Sequence, residues 1–127
     1  QNGVFKEESQ KSEKILSPNA SALMQKMLIN TIEKGTGKKA LTQGLVLGGK
    51  TGTARIAGKG GYTSNRYNAS FFGFANDTNN AYTIGVLVRN PTKPYSYYAA
   101  QSALPVFKDT IDILVREGFL KPSAAKR

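Results

Sequence analysis

Gly44-Leu45-Val46-Leu47-Gly48-Gly49-Lys50-Thr51-Gly52-Thr53-Ala54-Arg55-Ile56 is the stretch on which the reading of this 127-residue chain turns. Its first eight residues match the phosphate-loop pattern G-x-x-x-x-G-K-[ST] letter for letter. That loop needs a strand before it and a helix after it, so that backbone N–H groups and a helix N-terminus cradle the phosphates. Here Leu45, Val46 and Leu47 would fill the loop with apolar side chains, and the glycines from Gly52 through Gly61 cannot start a stable helix. No apolar strand ends in an Asp suited to hold Mg²⁺ either, since the run 82–89 ends in Arg89. The stretch reads instead as a strand over 45–56, rich in Val, Ile and Thr, whose glycines let another group approach the backbone closely. Period-2 alternation puts Thr51 and Thr53 on one face and Lys50 on the other, so Lys50 reaches the threonines' cleft only from an edge strand. Gly52 leaves the backbone unshielded. A substrate beside this strand could pair with its backbone, place a carboxylate near the Thr51 and Thr53 hydroxyls, and feel the Lys50 charge.

Upstream, residues 1–16 are polar and charged with a hairpin signal at Asn2-Gly3. Ser17-Pro18 then supplies an N-cap and a proline at the first helical position. Met24, Met27, Leu28, Thr31 and Ile32 recur at helical spacing, which predicts a helix over 18–34 that stops at Gly35. Downstream, a glycine-rich connection over 57–67 leads to a strand over 68–75 carrying Phe71, Phe72 and Phe74. Asn76-Asp77-Thr78-Asn79-Asn80 reads as a tight turn. The strand over 82–89 is nearly continuously apolar, the pattern of burial on both faces. After Pro91 and Pro94 a final helix carries Phe107, Thr110, Ile111, Leu114 and Val115 on one stripe and ends at Gly118, with Pro105 kinking it or marking its start. Three strands joined by short turns predict an antiparallel meander, and the fold class is α+β: a three-stranded antiparallel meander flanked by N- and C-terminal helices. Residues 121–127 read as a loose basic tail.

Composition narrows the chemistry. The absence of cysteine removes disulfides and thiolate chemistry; the absence of histidine removes Ser-His-Asp and Cys-His mechanisms and the commonest metal ligand. Lys, Tyr and carboxylates remain as proton-transfer side chains. A net charge of +10 attracts nucleic acid, anionic lipid or an acidic substrate without choosing among them. No apolar run approaches the ~18 residues of a membrane span. The chain opens Gln1-Asn2-Gly3 without a signal segment, so any targeting signal is expected upstream.

Further motifs flank the central strand: Gly35-Thr36-Gly37, then Tyr67-Asn68-Ala69-Ser70-Phe71-Phe72-Gly73-Phe74-Ala75, Tyr97-Tyr98-Ala99-Ala100 and Ala103-Leu104-Pro105-Val106-Phe107. In this order and spacing, residues 17–120 closely resemble the C-terminal part of the transpeptidase domain of class B penicillin-binding proteins, especially the division-type enzymes. The resemblance implies the penicillin-binding and serine beta-lactamase-like transpeptidase fold. It implies acyl transfer by a serine acting on a peptidoglycan stem peptide ending in D-Ala-D-Ala, with beta-lactams trapped at the same serine. Lys50 would supply positive potential and assist proton transfer, and the Thr53 N–H would form one half of the oxyanion hole. Thr51, Gly52 and Thr53 would bind substrate or beta-lactam. No metal or organic cofactor is implied. The partners it implies are the N-terminal remainder of the same domain and the division or elongation machinery. Its location would be the periplasmic, extracytoplasmic side of the bacterial inner membrane, held by an upstream anchor.

Two features of the family pattern lack a counterpart. The one S-x-x-K match, Ser123-Ala124-Ala125-Lys126, follows Pro122 in the tail, with no helix to hold its lysine near its serine. Ser17-Pro18-Asn19 mimics S-x-N but reads better as a helix cap. The sequence therefore divides into a polar leading segment (1–16), the C-terminal part of a transpeptidase domain (17–120) and a basic tail (121–127), with no nucleophile and no activity expected of this chain alone. Lys50 on an exposed edge also has a plain use, discouraging edge-to-edge aggregation. Arg55, Tyr62 and Tyr67 read as solvated or packing residues. A basic module for nucleic acid or an anionic surface is the competing function, but its cations are scattered rather than gathered on one strand face, so no nucleic-acid partner is expected. Self-association through the apolar strand 82–89 is expected, because upstream strands would cover its outer edge.

Overall fold

A computed structural model describes residues 11–58, 61, 66–91 and 98–124. Asn2-Gly3, Gly60, Tyr62, Pro94, Tyr97, Ala125 and Lys126 lie outside the described residues. Helix α1 spans Pro18–Glu33, one residue short of the sequence expectation. The Ser17 hydroxyl caps it by accepting the Ala20 N–H at 3.2 Å, the role that displaces the S-x-N reading. At the other end the Gly35 and Gly37 N–H groups both donate to Thr31 O, at 3.2 and 2.9 Å, closing the helix in a tight reversal. A short 3₁₀ turn, Lys38–Ala40, follows.

Three strands, β1 (Val46–Arg55), β2 (Tyr67–Asn76) and β3 (Ala81–Arg89), form one antiparallel sheet in the order β1-β2-β3. The register places Thr51 opposite Phe71 and Phe71 opposite Val86; on the other face Lys50 stands opposite Phe72, and Phe72 opposite Gly85. The β2–β3 turn is held by Asp77, whose carboxylate accepts the Asn79 and Asn80 N–H groups at 2.7 and 2.6 Å. Helix α2 (Ala103–Arg116) covers the Phe71 face. Phe107 is fully buried against Phe71, with ring centroids 4.5 Å apart and planes inclined at 50°. A Cβ on Gly73 would lie 3.0 Å from the Phe107 ring, so the missing side chain is what admits the aromatic to the sheet. Ile32, Ala40, Leu47, Ala69, Ala75, Val86, Ala99, Ala103, Leu104, Ile111 and Leu120 are the other buried residues of the core.

Four sequence expectations change. β3 is not buried on both faces: only Val86 is buried, while Thr83, Gly85 and Leu87 on the opposite face are exposed, because among the described residues α2 covers one side only. The α1 stripe is likewise mostly exposed, with Met24 and Met27 near half exposure and Ile32 alone buried, since α1 packs along one strand rather than over a sheet face. Pro105 sits within the first turn of α2 without ending it, where its missing N–H removes no intrahelical bond. The tail is not loose through Ser123. Leu120 is buried, Lys121 N–H donates to Asp77 Oδ2 at 2.7 Å, and Ser123 N–H donates to Gly44 O at 3.0 Å.

Candidate functional site

β1 is an edge strand, so half of its backbone groups face away from β2. Which half is fixed by its neighbours. Ile56 N–H donates to Arg66 O at 2.9 Å and Gly52 O accepts weakly from Ser70 Oγ at 3.5 Å, so the even-numbered residues turn toward β2. Gly49, Thr51 and Thr53 therefore turn their N–H and C=O groups to the open edge. The Thr31 hydroxyl lies within hydrogen-bond reach of both Gly49 O and Leu28 O, which share its one proton, and Thr51 O accepts from Lys50 Nζ at 3.1 Å. Among the described residues, Thr53 has no strand beside its outer groups.

Glycine makes this closeness possible. Side chains at Gly48 and Gly49 would run into the rings of Phe74 and Phe71, and a Cβ at Gly48 would stand 3.2 Å from the Ile29 amide nitrogen of α1. The run Gly48-Gly49, which also fits the phosphate-loop pattern, is the middle of one uninterrupted strand, as expected, and no helix follows it among the described residues before β2. Neither a looped backbone nor a helix N-terminus is there to receive a phosphate.

Lys50 starts on the face opposite Thr51, yet its ammonium curls over the edge to lie 3.1 Å from both Thr51 O and Thr51 Oγ1. An edge position is what allows this, as the alternation required. Thr51 Oγ1 in turn lies 3.4 Å from Thr36 Oγ1, delivered by the reversal after α1. Lys50 and Thr53 are exposed, Thr51 and Gly52 half-buried, so the four line a solvent-open edge. Arg55 stands apart from this cluster, its guanidinium 5.8 Å over the Tyr67 ring, a cation–π contact with its cross-strand neighbour. Thr31 entered the sequence reading as part of the α1 stripe and Thr36 as part of the Gly35-Thr36-Gly37 motif, neither with a role at the site. The signal for Thr36 was its place between two glycines at a helix stop, where a tight reversal fixes the direction of the side chain between them. Among the described residues no group of three acidic, His or Cys side chains could hold a metal ion, and no helix is long and apolar enough to cross a membrane.

Comparison with known proteins points the same way. The profile of the penicillin-binding protein transpeptidase domain matches residues 4–112. A peptidoglycan D,D-transpeptidase FtsI homolog of Mesostigma viride is 32% identical over 111 residues, which cover 87% of this chain and 18% of that relative. A probable peptidoglycan D,D-transpeptidase PenA of Neisseria flavescens is 30% identical over 80% of this chain and 25% of its own length. This chain thus spans a quarter or less of either relative. Among solved structures, the apo transpeptidase domain of Burkholderia pseudomallei penicillin-binding protein 3 superposes with a TM-score of 0.73 at 29% identity, over 88% of this chain and 34% of that one. Penicillin-binding protein 3 of Mycobacterium tuberculosis, solved with ampicillin, superposes at 0.70 and 25% identity over 98% of this chain and 30% of that one. A two-helix, three-stranded antiparallel unit whose sequence and backbone both follow these proteins belongs to the penicillin-binding protein transpeptidase domain family.

Proposed function

We propose that Lys50-Thr51-Gly52-Thr53 is the substrate-facing strand of a serine D,D-transpeptidase that cross-links peptidoglycan stem peptides, and that beta-lactams acylate the same site. The observation that carries this reading is the β1 edge: outward backbone groups at Thr53 beside an ammonium held 3.1 Å from the Thr51 hydroxyl. An extended peptide can add to that edge through main-chain hydrogen bonds. Its terminal carboxylate meets the Thr51 and Thr53 hydroxyls and the Lys50 charge. The Thr53 N–H is aimed outward, where an oxyanion develops as a serine attacks the D-Ala-D-Ala carbonyl; removing one such donor costs about 10²-fold or more in rate. The serine oxygen bonds to the carbonyl carbon, the C–N bond breaks, and D-Ala leaves with a proton on its nitrogen. An amine from a neighbouring strand then displaces the serine.

The serine itself belongs, in this reading, to an upstream S-x-x-K segment, so the 127-residue chain is inactive alone. The complete enzyme works outside the cytoplasmic membrane with the division or elongation machinery. Labelling by a fluorescent penicillin tests both halves. The full-length protein should label and the 127-residue chain should not; stable labelling of the short chain would overturn the missing-nucleophile reading. In the full-length protein, Lys50→Ala should slow acylation by about 10–100-fold, the range of a charge-assisted hydrogen bond, while Arg55→Ala, whose cation is spent on Tyr67, changes it little. Equal, small effects would remove Lys50 from the mechanism.

A further inference from the structure

We propose that Thr36 is a positioning residue for this site: its hydroxyl, held against Thr51, directs the Thr51 proton to the open edge of β1 where a ligand carboxylate is received. The inference rests on the reading of β1 as the substrate-facing strand. It starts from hydrogen-bond capacity. An ammonium has donors only, so at 3.1 Å Lys50 Nζ must donate to Thr51 Oγ1. One lone pair of that oxygen is then taken. Thr36 Oγ1, at 3.4 Å, is the next group within reach, and its hydroxyl can fill the second. With both lone pairs occupied, the Thr51 hydroxyl can act only as a donor, and it turns its proton to an acceptor outside. An anionic ligand selects this arrangement over the reverse one, in which Thr51 spends its proton on Thr36. Donation by Thr36 also polarises the Thr51 O–H bond and strengthens its bond to an anion.

The backbone fixes Thr36 for this purpose. Gly35 and Gly37 both donate to Thr31 O, and a Cβ on Gly37 would stand 2.7 Å from the buried Ile32 Cδ1, which would have to shift to admit it, so glycine is what lets the reversal that aims Thr36 at β1 lie close to the helix end. Five residues earlier, Thr31 binds Gly49 O on the same edge. The end of α1 therefore grips β1 at two outward positions, Gly49 by its carbonyl and Thr51 by its hydroxyl. A hydroxyl at residue 36 adds little to that grip, since it is exposed and Thr31 already ties the helix down. Its effect falls on the direction of one proton.

A pair of probes separates direction from structure: benzylpenicillin, which carries the carboxylate, and its methyl ester, which does not. Second-order acylation rates are measured on the full-length protein with Thr36→Val, Thr36→Ala, Thr36→Ser and, as a distant control, Thr78→Val in the exposed β2–β3 turn. Thr36→Val and Thr36→Ala should slow benzylpenicillin by about fivefold, the effect of one ordinary hydrogen bond, and leave the ester unchanged. Thr36→Ser should restore the rate, and Thr78→Val should leave both probes as they were. The acid-to-ester ratio is read within one preparation, so a partly folded variant moves both rates together. Equal loss on both probes, no loss on the acid, or failure of Ser to restore it would overturn the role of Thr36. Lys50→Ala runs alongside: if it slows acylation while Thr36→Val does not, only this inference falls, and if it is silent the substrate-facing reading of β1 falls with it.

Discussion

Phe107→Ala removes the ring on which the sheet and α2 meet. The side chain is fully buried, lies 4.5 Å from the Phe71 ring, and occupies the space that Gly73 leaves open on β2. Large-to-small changes at such a site cost about 3–5 kcal/mol, because the lost transfer free energy is joined by an unfilled cavity. Little collapse is available to reduce it here. Phe71 is itself fully buried and pinned in register between Thr51 and Val86, and α2 cannot move in without driving Ala103, Leu104 and Ile111 out of their places. A domain of this size has only about 5–15 kcal/mol in total, so the variant should lose about a fifth of its stability at the least. Ile113 on the same helix is 47% exposed and provides the control: Ile113→Ala should cost less than about 1 kcal/mol. Urea unfolding followed by far-UV circular dichroism, at one fixed protein concentration, gives both values. The packing argument fails if the two substitutions cost the same, or if Phe107→Ala costs less than about 1.5 kcal/mol.

Two further outcomes follow from the turn and from the sheet edge. The Asn80 side chain, then the Lys121 and Asn79 N–H groups, hold the Asp77 carboxyl well below the usual carboxylate range. A group whose folded pKa is depressed stabilises the fold above its unfolded pKa of about 3.9 and loses that contribution as pH falls toward the folded value. The stability difference between the parent sequence and Asp77→Asn should therefore be full above about pH 5 and shrink below about pH 4; a difference that stays constant down to pH 3 refutes the assignment. At the far edge, β3 has no strand beside it among the described residues and exposes Leu87, so the 127-residue chain should self-associate there. Light scattering should show mass rising with concentration, and a monomer throughout the range would count against it.

Most elements were legible because local signals agreed with one another. Ser17-Pro18 marked the start of α1, the Asn/Asp cluster marked the β2–β3 turn, and strand boundaries fell within one or two residues of expectation. What could not be read was which apolar faces have a partner. The periodicity of Met24 and Met27, and the nearly continuous apolar run of β3, describe a chain prepared for burial; whether a covering layer exists depends on residues elsewhere. The site was legible in part for a similar reason. Lys50 and the threonines follow from alternation within one strand. Thr36 and Thr31 reach β1 across 15 and 18 residues of sequence, through a reversal whose direction no local pattern gives.

The outward positions Gly49, Thr51 and Thr53 of β1 are not equivalent, and their difference gives the edge a register. Gly49 O is occupied by Thr31, and Thr51 O by the strand's own lysine, so the upper edge is closed to an incoming chain by groups that belong to the fold. Thr53 follows with no strand beside it among the described residues. A peptide adding to β1 can keep main-chain hydrogen bonds near Thr53 without displacing α1. A slip of one residue would set it against Gly52 or Ala54, whose backbone groups already turn toward β2. A slip of two toward Gly49 would have to break the contacts of Lys50 or Thr31. Glycine lets the strand lie close to its own core at Gly48 and Gly49, and at Gly52 it admits the Ser70 hydroxyl, which would stand 2.6 Å from a Cβ there. The ammonium at the junction marks where packing ends, and under the proposed function a carboxylate drawn to it would arrive beside the two threonines.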